Sequence, residues 1–164
     1  MRKNWKLLLV LVAVLAVSAV SYHEMSRADL SVDPNAELLP VEELSLKTET
    51  GTHRFTVEVA DQNEERQRGL MFRESMLPSH GMLFQFEQTQ QVYMWMENTI
   101  LSLDMIFIRN DGTVAKIREH TTPFSREIIS SGEPVSHVLE LNAGTAEKLK
   151  LKPNDRVMHR FFDQ

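Results

Sequence analysis

No cysteine occurs in the 164-residue chain, which excludes a disulfide framework, a thiolate metal site, a thiol nucleophile and a lipidated cysteine behind a leader. Positive charge is also scarce. Lysine and arginine number 18 against 23 aspartates and glutamates, and three of the 18, Arg2, Lys3 and Lys6, precede an apolar segment. The rest of the chain holds 15 basic and 23 acidic residues, a balance of −8. Such a body repels phosphate backbones, so nucleic acid is set aside as a partner. It is repelled by anionic lipid surfaces as well, which leaves the N-terminus as the one route to a membrane. Also missing are a Gly-x-Ser-x-Gly elbow, a phosphate-cradling glycine loop and a His-Glu-x-x-His pair. His53, His80, His120, His137 and His159 lack the spacing of metal ligands. No metal and no cofactor are therefore expected.

What is present begins with a leader. Arg2, Lys3 and Lys6 are followed by Leu7 to Val20, an apolar run in which Ser18 is the sole polar residue. A basic stretch followed by an apolar one is the pattern of a secretory signal. As helix, the run would rise about 21 Å, short of the roughly 30 Å of a hydrocarbon core. Val17, Ser18 and Ala19 suit cleavage, whereas Trp5 and Tyr22 suit interfacial anchoring, so residues 1–22 are either a signal peptide or a membrane anchor. In both cases the positive charges stay on the cytoplasmic side, and the domain is exported, to the periplasm or a comparable space. Residues 23–43, with two prolines and six acids, read as a flexible acidic linker. Residues 44–164 then have room for one domain.

Within that domain the apolar pattern is mostly of period two. Leu44 to Lys47 and His53 to Val59 flank Thr50-Gly51 as a hairpin. Asp61, with Glu64 three residues on, predicts a helix from Gln62 to about Phe72. Met82 to Phe86 and Gln91 to Met96 read as two strands, and Leu103 to Ile108 and Thr113 to Arg118 enclose the Asp111-Gly112 turn. A long loop over Thr121 to Glu133 precedes a strand at Val135 to Leu141, a helix at Ala143 to Leu149 capped by Asn142, and a last strand at Arg156 to Phe162. The expected fold is α+β and mostly β: a small, curled, barrel-like antiparallel or mixed sheet with two short helices.

Five segments stand in fixed order: Glu65 to Arg73, Gly81 to Phe84, Met94 to Thr99, Leu103 to Phe107 and Val138 to Gly144. Together they resemble the domain-of-unknown-function family 192 across about Val57 to Val157. The resemblance implies a compact β-rich fold, often behind an export leader, and no established activity. Many relatives carry lysine where this chain has Glu97, so a role needing positive charge there does not transfer.

Candidate site residues therefore rest on chemistry. Asp104 lies inside Leu-Asp-Met-Ile-Phe-Ile, a buried strand pattern, and must find a cation, hydrogen-bond donors or a proton. Arg66, Arg68 and Arg73 are its candidate partners. On a helix, Arg66 and Arg73 share a face with Gly69 between them, a plausible anion-binding groove; an internal Arg–Asp bridge is the alternative. Glu140, within Val-Leu-Glu-Leu, admits the same two readings. Trp95 and Asn98 could hold a small polar ligand such as a sugar, or be a core ring and a turn residue. Met94 and Met96 could ligate Cu(I), but inward core residues account for them better. Three functions follow: a non-catalytic module binding a small polar or anionic ligand through Arg66, Gly69, Arg73, Trp95, Asn98, Asp104 and Glu140; a hydrolase using Asp104 and Glu140; or a structural, partner-binding envelope protein.

Overall fold

The computed structural model describes residues 39–162. The expected export segment and most of the expected linker lie outside the described residues. Among the described residues seven strands form one sheet. β1 (Val41–Thr48) and β2 (Gly51–Ala60) are the expected hairpin, turned at Gly51 with Thr48 opposite it. Phe55 and Val57 face one side, and Thr56 and Glu58 the other. β1 thus starts within the stretch read as linker, and the carbonyl of Pro40 already accepts the Val59 N–H at 3.0 Å.

Helix α1 (Asn63–Arg68) follows, shorter than expected and capped one residue later. The Glu65 carboxylate accepts the N–H groups of Gln62 and Asp61 at 2.9 and 3.0 Å, so Glu65 rather than Glu64 is the return arm of the cap. Gly69 stops the helix in a left-handed backbone, φ 49°, which a side chain would strain.

β3 (His80–Met94) pairs parallel to β2, the one parallel contact in the sheet. It replaces the two expected strands. Register shifts at 85–90 and 91–93 absorb the polar Glu87-Gln88-Thr89 stretch as bulges instead of breaking the ladder. β4 (Leu103–Ile108) and β5 (Val114–Arg118) are antiparallel around the expected Asp111-Gly112 turn. β6 (Ile129–Asn142) is longer than expected at its start and pairs with both β3 and β4. Helix α2 (Thr145–Leu149) and the short β7 (Arg156–Met158) complete the order β5-β4-β6-β3-β2-β1-β7. The two edge strands meet, with Thr113 bridging Arg156 and Val157 N–H donating to Gly112 O at 2.8 Å. That contact curls the sheet into a half-barrel.

Both faces of the sheet are covered. Inside the curl lie Leu44, Val57, Leu83, Ile106, Leu139 and Leu141, with Ala146 and Leu149 of α2 as a plug. On the outer face lie Met82, Phe84, Met105, Phe107 and Val138 beneath Leu70 and Met96. Gly81 belongs to this geometry, because a Cβ there would stand 2.6 Å from the Glu140 carbonyl oxygen. Only glycine lets β3 approach β6 so closely.

Asp104 faces the interior and is wholly buried. The expected arginine partner is not there. Its carboxyl accepts the Ala146 N–H of α2 at 2.8 Å and the His120 N–H at 3.0 Å. It thereby satisfies an orphan donor in the first turn of α2 and closes the 119–121 turn onto β4. Asn142, expected to cap α2, instead donates to the carbonyls of Met76 and Leu77, both at 3.1 Å. Replacing Asp104 with Ala leaves two donors unmet and is expected to cost on the order of 3 kcal/mol. Urea denaturation measures this, and an unchanged midpoint would refute the assignment.

Candidate functional site

Between α1 and the outer face of the sheet lies a cavity of about 200 Å³. Its lining includes Arg66, Arg68 and Gly69 from α1 and its exit, Leu70 and Met71 beyond, Phe84, Phe86, Tyr93, Met94 and Trp95 along and just after β3, Thr99, and Glu140 of β6. The sheet places Glu140 there by alternation. Leu139 and Leu141 point into the curl, so Val138 and Glu140 point out. Across the two ladders Glu140 stands opposite Met82 and Met105, neither of which can donate a hydrogen bond.

Glu140 is only 4% exposed, and its carboxyl has no hydrogen-bond or ion-pair partner among the described residues. Burial pushes it up to about 8 from the ordinary 4.5. At neutral pH the group is chiefly the neutral acid, able to donate one hydrogen bond and accept others.

The walls combine aromatic and cationic groups. Phe84 is buried, Phe86 is half-buried, and Tyr93 and Trp95 are 54% and 46% exposed at the mouth. The Arg66 guanidinium lies 5.8 Å from the Phe86 ring centroid. It donates to the carbonyls of Gln85, at 2.9 Å, and Asp61, and to the Asn63 side chain. All three acceptors are neutral. Arg68 is exposed and has no partner among the described residues. A Cβ on Gly69 would stand 3.2 Å from the Phe84 ring, so this glycine serves the helix stop and the aromatic wall together.

Of the seven residues singled out from the sequence, Arg66, Gly69, Trp95 and Glu140 line this cavity and the other three do not. Arg73 lies beyond the end of α1, not on a helix face shared with Arg66. Its guanidinium forms a two-pronged pair with Glu58 of β2, which raises its pKa against the opposing effect of burial. Asn98 takes a left-handed turn position, φ 55°, and its carbonyl accepts the Phe72 N–H at 2.9 Å. Asp104 is on the opposite face from Glu140. The two carboxyls cannot flank one bond, which removes the hydrolase built on them. Met96 is buried in the apolar outer core, and Met94 is half-buried at the cavity.

Arg68, Phe86, Tyr93 and Thr99 join the site although they were not among those seven. Tyr93 carried a usable signal, standing two residues before Trp95 and so on the same side of an extended segment. Arg68, which the sequence offers as a partner for Asp104, carried no signal for this cavity, since its position depends on where α1 ends.

The family model DUF192, described as "Uncharacterized ACR", matches residues 45–159. This chain belongs to the DUF192 family. A crystal structure of a candidate transcription regulator from Sinorhizobium meliloti 1021 is similar to it at 50% identity and a TM-score of 0.71, covering 73% of this chain and 94% of that one. A protein of unknown function from Novosphingobium aromaticivorans DSM 12444 is similar at 32% identity and a TM-score of 0.74, covering 79% and 91%. No curated protein matches the chain. The DUF192 motif segments Glu65 to Arg73, Gly81 to Phe84, Met94 to Thr99 and Val138 to Gly144 each contribute to the cavity lining or its support.

Two outcomes follow. The folded-state pKa of Glu140 is raised, so its contribution to stability is complete below about 4.5 and is lost as pH rises through about 8. Glu140→Gln should therefore gain stability over the parent across that window, on the order of 4 kcal/mol at its upper end. Parallel melting profiles from pH 4 to 9 would contradict this. Arg73→Ala strands the Glu58 carboxylate, 13% exposed, and should lower stability by about 2 kcal/mol in denaturant titrations. Arg73→Lys should recover only part of the loss, having no fork.

Proposed function

We propose that this DUF192 protein is a non-catalytic module that holds a small polar ligand in the cavity over Glu140, and that it works outside the cytoplasm. One observation carries the reading: a buried carboxyl without a partner lines a cavity whose other walls are aromatic and cationic. Such a group lowers stability, and retaining it is the usual mark of a site kept for binding. The non-catalytic part is supported by the separation of the two buried carboxyls, Asp104 being held by the N–H groups of α2 and the 119–121 turn, which leaves the cavity a single carboxyl and no acid–base pair. Export is supported by Arg2, Lys3 and Lys6 before the apolar run and by the acidic stretch after it. The designation of the Sinorhizobium relative as a regulator of transcription does not carry over readily, because a −8 body opposes duplex binding.

A partner-binding role is favoured by one separate feature. Phe72 and Phe124, 65% and 61% exposed, both sit at positive φ, and their N–H groups bond the consecutive carbonyls of Asn98 and Thr99. Bulky residues seldom hold that backbone conformation with the ring in water.

A thermal-shift screen of the purified chain against sugars, organic acids and phosphates tests the ligand reading. At a hundredfold excess over Kd, a bound ligand adds about 2.7 kcal/mol. At least one class should raise the melting temperature, and Trp95→Ala and Glu140→Leu should abolish that rise while remaining folded. A screen in which no class shifts the parent would sink the proposal.

A further inference from the structure

The charges around the cavity narrow the ligand further, on the premise that the cavity is the binding site. Among the described residues, five arginines are paired with glutamates: Arg54, Arg73, Arg109, Arg126 and Arg160. Neither arginine that lines the cavity is, and of the remaining two, Arg118 and Arg156, which lie outside it, neither forms an ion pair among the described residues. Arg66 is held by neutral oxygens only, and Arg68 is unpartnered among the described residues, although the chain has acids in excess. The charged and titratable groups that line the cavity together with Glu140 are these two arginines from α1 and Tyr93 from β3, and neither guanidinium pairs with the Glu140 carboxyl; β4 offers only Met105 opposite it. With Glu140 mostly neutral, the cavity carries net positive charge.

That balance decides among ligand classes. An amine would meet two guanidinium groups and gain a carboxylate only by stripping a proton from it. A sugar could stack on Trp95 and Tyr93 but would leave the cations without a counter-charge. A small anion satisfies the arginines and can accept the Glu140 proton as a short, charge-assisted hydrogen bond. Phe84, Phe86, Tyr93 and Trp95 in turn ask for a flat apolar body, which inorganic phosphate lacks.

The geometry points to a small planar organic acid as the ligand, its carboxylate placed between the arginines of α1 and the Glu140 carboxyl, and its ring against Trp95 and Phe84. Binding then requires the proton on Glu140. Two carboxyl groups at one site share a proton, because both cannot ionise together.

Benzoate, benzyl alcohol, benzylamine and inorganic phosphate serve as probes of the purified full chain, followed by calorimetry and thermal shift at pH 6.5 and pH 9. Benzoate should bind best and weaken by about tenfold or more between those pH values. Glu140→Gln should bind benzoate equally at both, because its amide donates without titrating. Arg68→Ala should weaken benzoate by about tenfold, the loss of roughly 1.4 kcal/mol. A Tyr93→Phe background should leave the pH response intact. Benzoate affinity that is flat or rising from pH 6.5 to 9, or a pH response that persists in Glu140→Gln, would overturn the assignment. Tighter binding of benzylamine, benzyl alcohol or phosphate would overturn the organic acid and leave the cavity reading standing. Failure of all four probes, together with silence in the wider screen, would remove both.

Discussion

β6 has no free edge and no free face over Val138 to Leu141, and the cavity depends on that confinement. Hydrogen bonds to β3 on one side and β4 on the other lock the strand's register, and the period-two alternation then assigns each side chain to a core without choice. Leu139 and Leu141 fill the curl, while Val138 and Glu140 go to the outer face. A carboxyl at Glu140 is thereby committed to a position between two methionines. It lines the cavity under α1.

The same confinement explains why the two buried carboxyls of this DUF192 domain differ. Asp104 also lies on a strand buried on both sides, but its face meets the first turn of α2 and the 119–121 turn, where backbone N–H groups need acceptors. It is consumed by the fold. Glu140 meets no donor, and burial acts on it unopposed, which is the cause of its raised pKa. One group is architecture and the other is an open valence beside a cavity. Rings exposed at the mouth and arginines without carboxylates give that valence its chemical setting.

Much of this was legible in the residues. The hairpins at Thr50-Gly51 and Asp111-Gly112, the two short helices and the barrel-like antiparallel or mixed sheet all rest on local pattern, and each appears in the structure, the sheet as a mixed one. Boundaries were less legible. β3 runs through a polar stretch because bulges cost less than ending a central strand, and α1 ends early because Gly69 takes a left-handed backbone that closes the helix. Asn142 looks like a helix cap in sequence, yet its amide serves the carbonyls of a distant loop.

Sequence alone determined that the domain is β-rich, acidic and free of thiol chemistry, and that Asp104 and Glu140 are improbable charges in apolar strands. These conclusions rest on composition and on neighbours along the chain. Only the tertiary structure decided which of the two is satisfied, because the donors for Asp104 lie 16 and 42 residues away and face it through the fold. It likewise turned Arg73 to Glu58, brought Arg68 and Trp95 to the lining of one cavity, and put the two carboxyls on opposite faces of one sheet. Partnership of a buried charge is a property of three-dimensional neighbours, and spacing along the chain does not encode it.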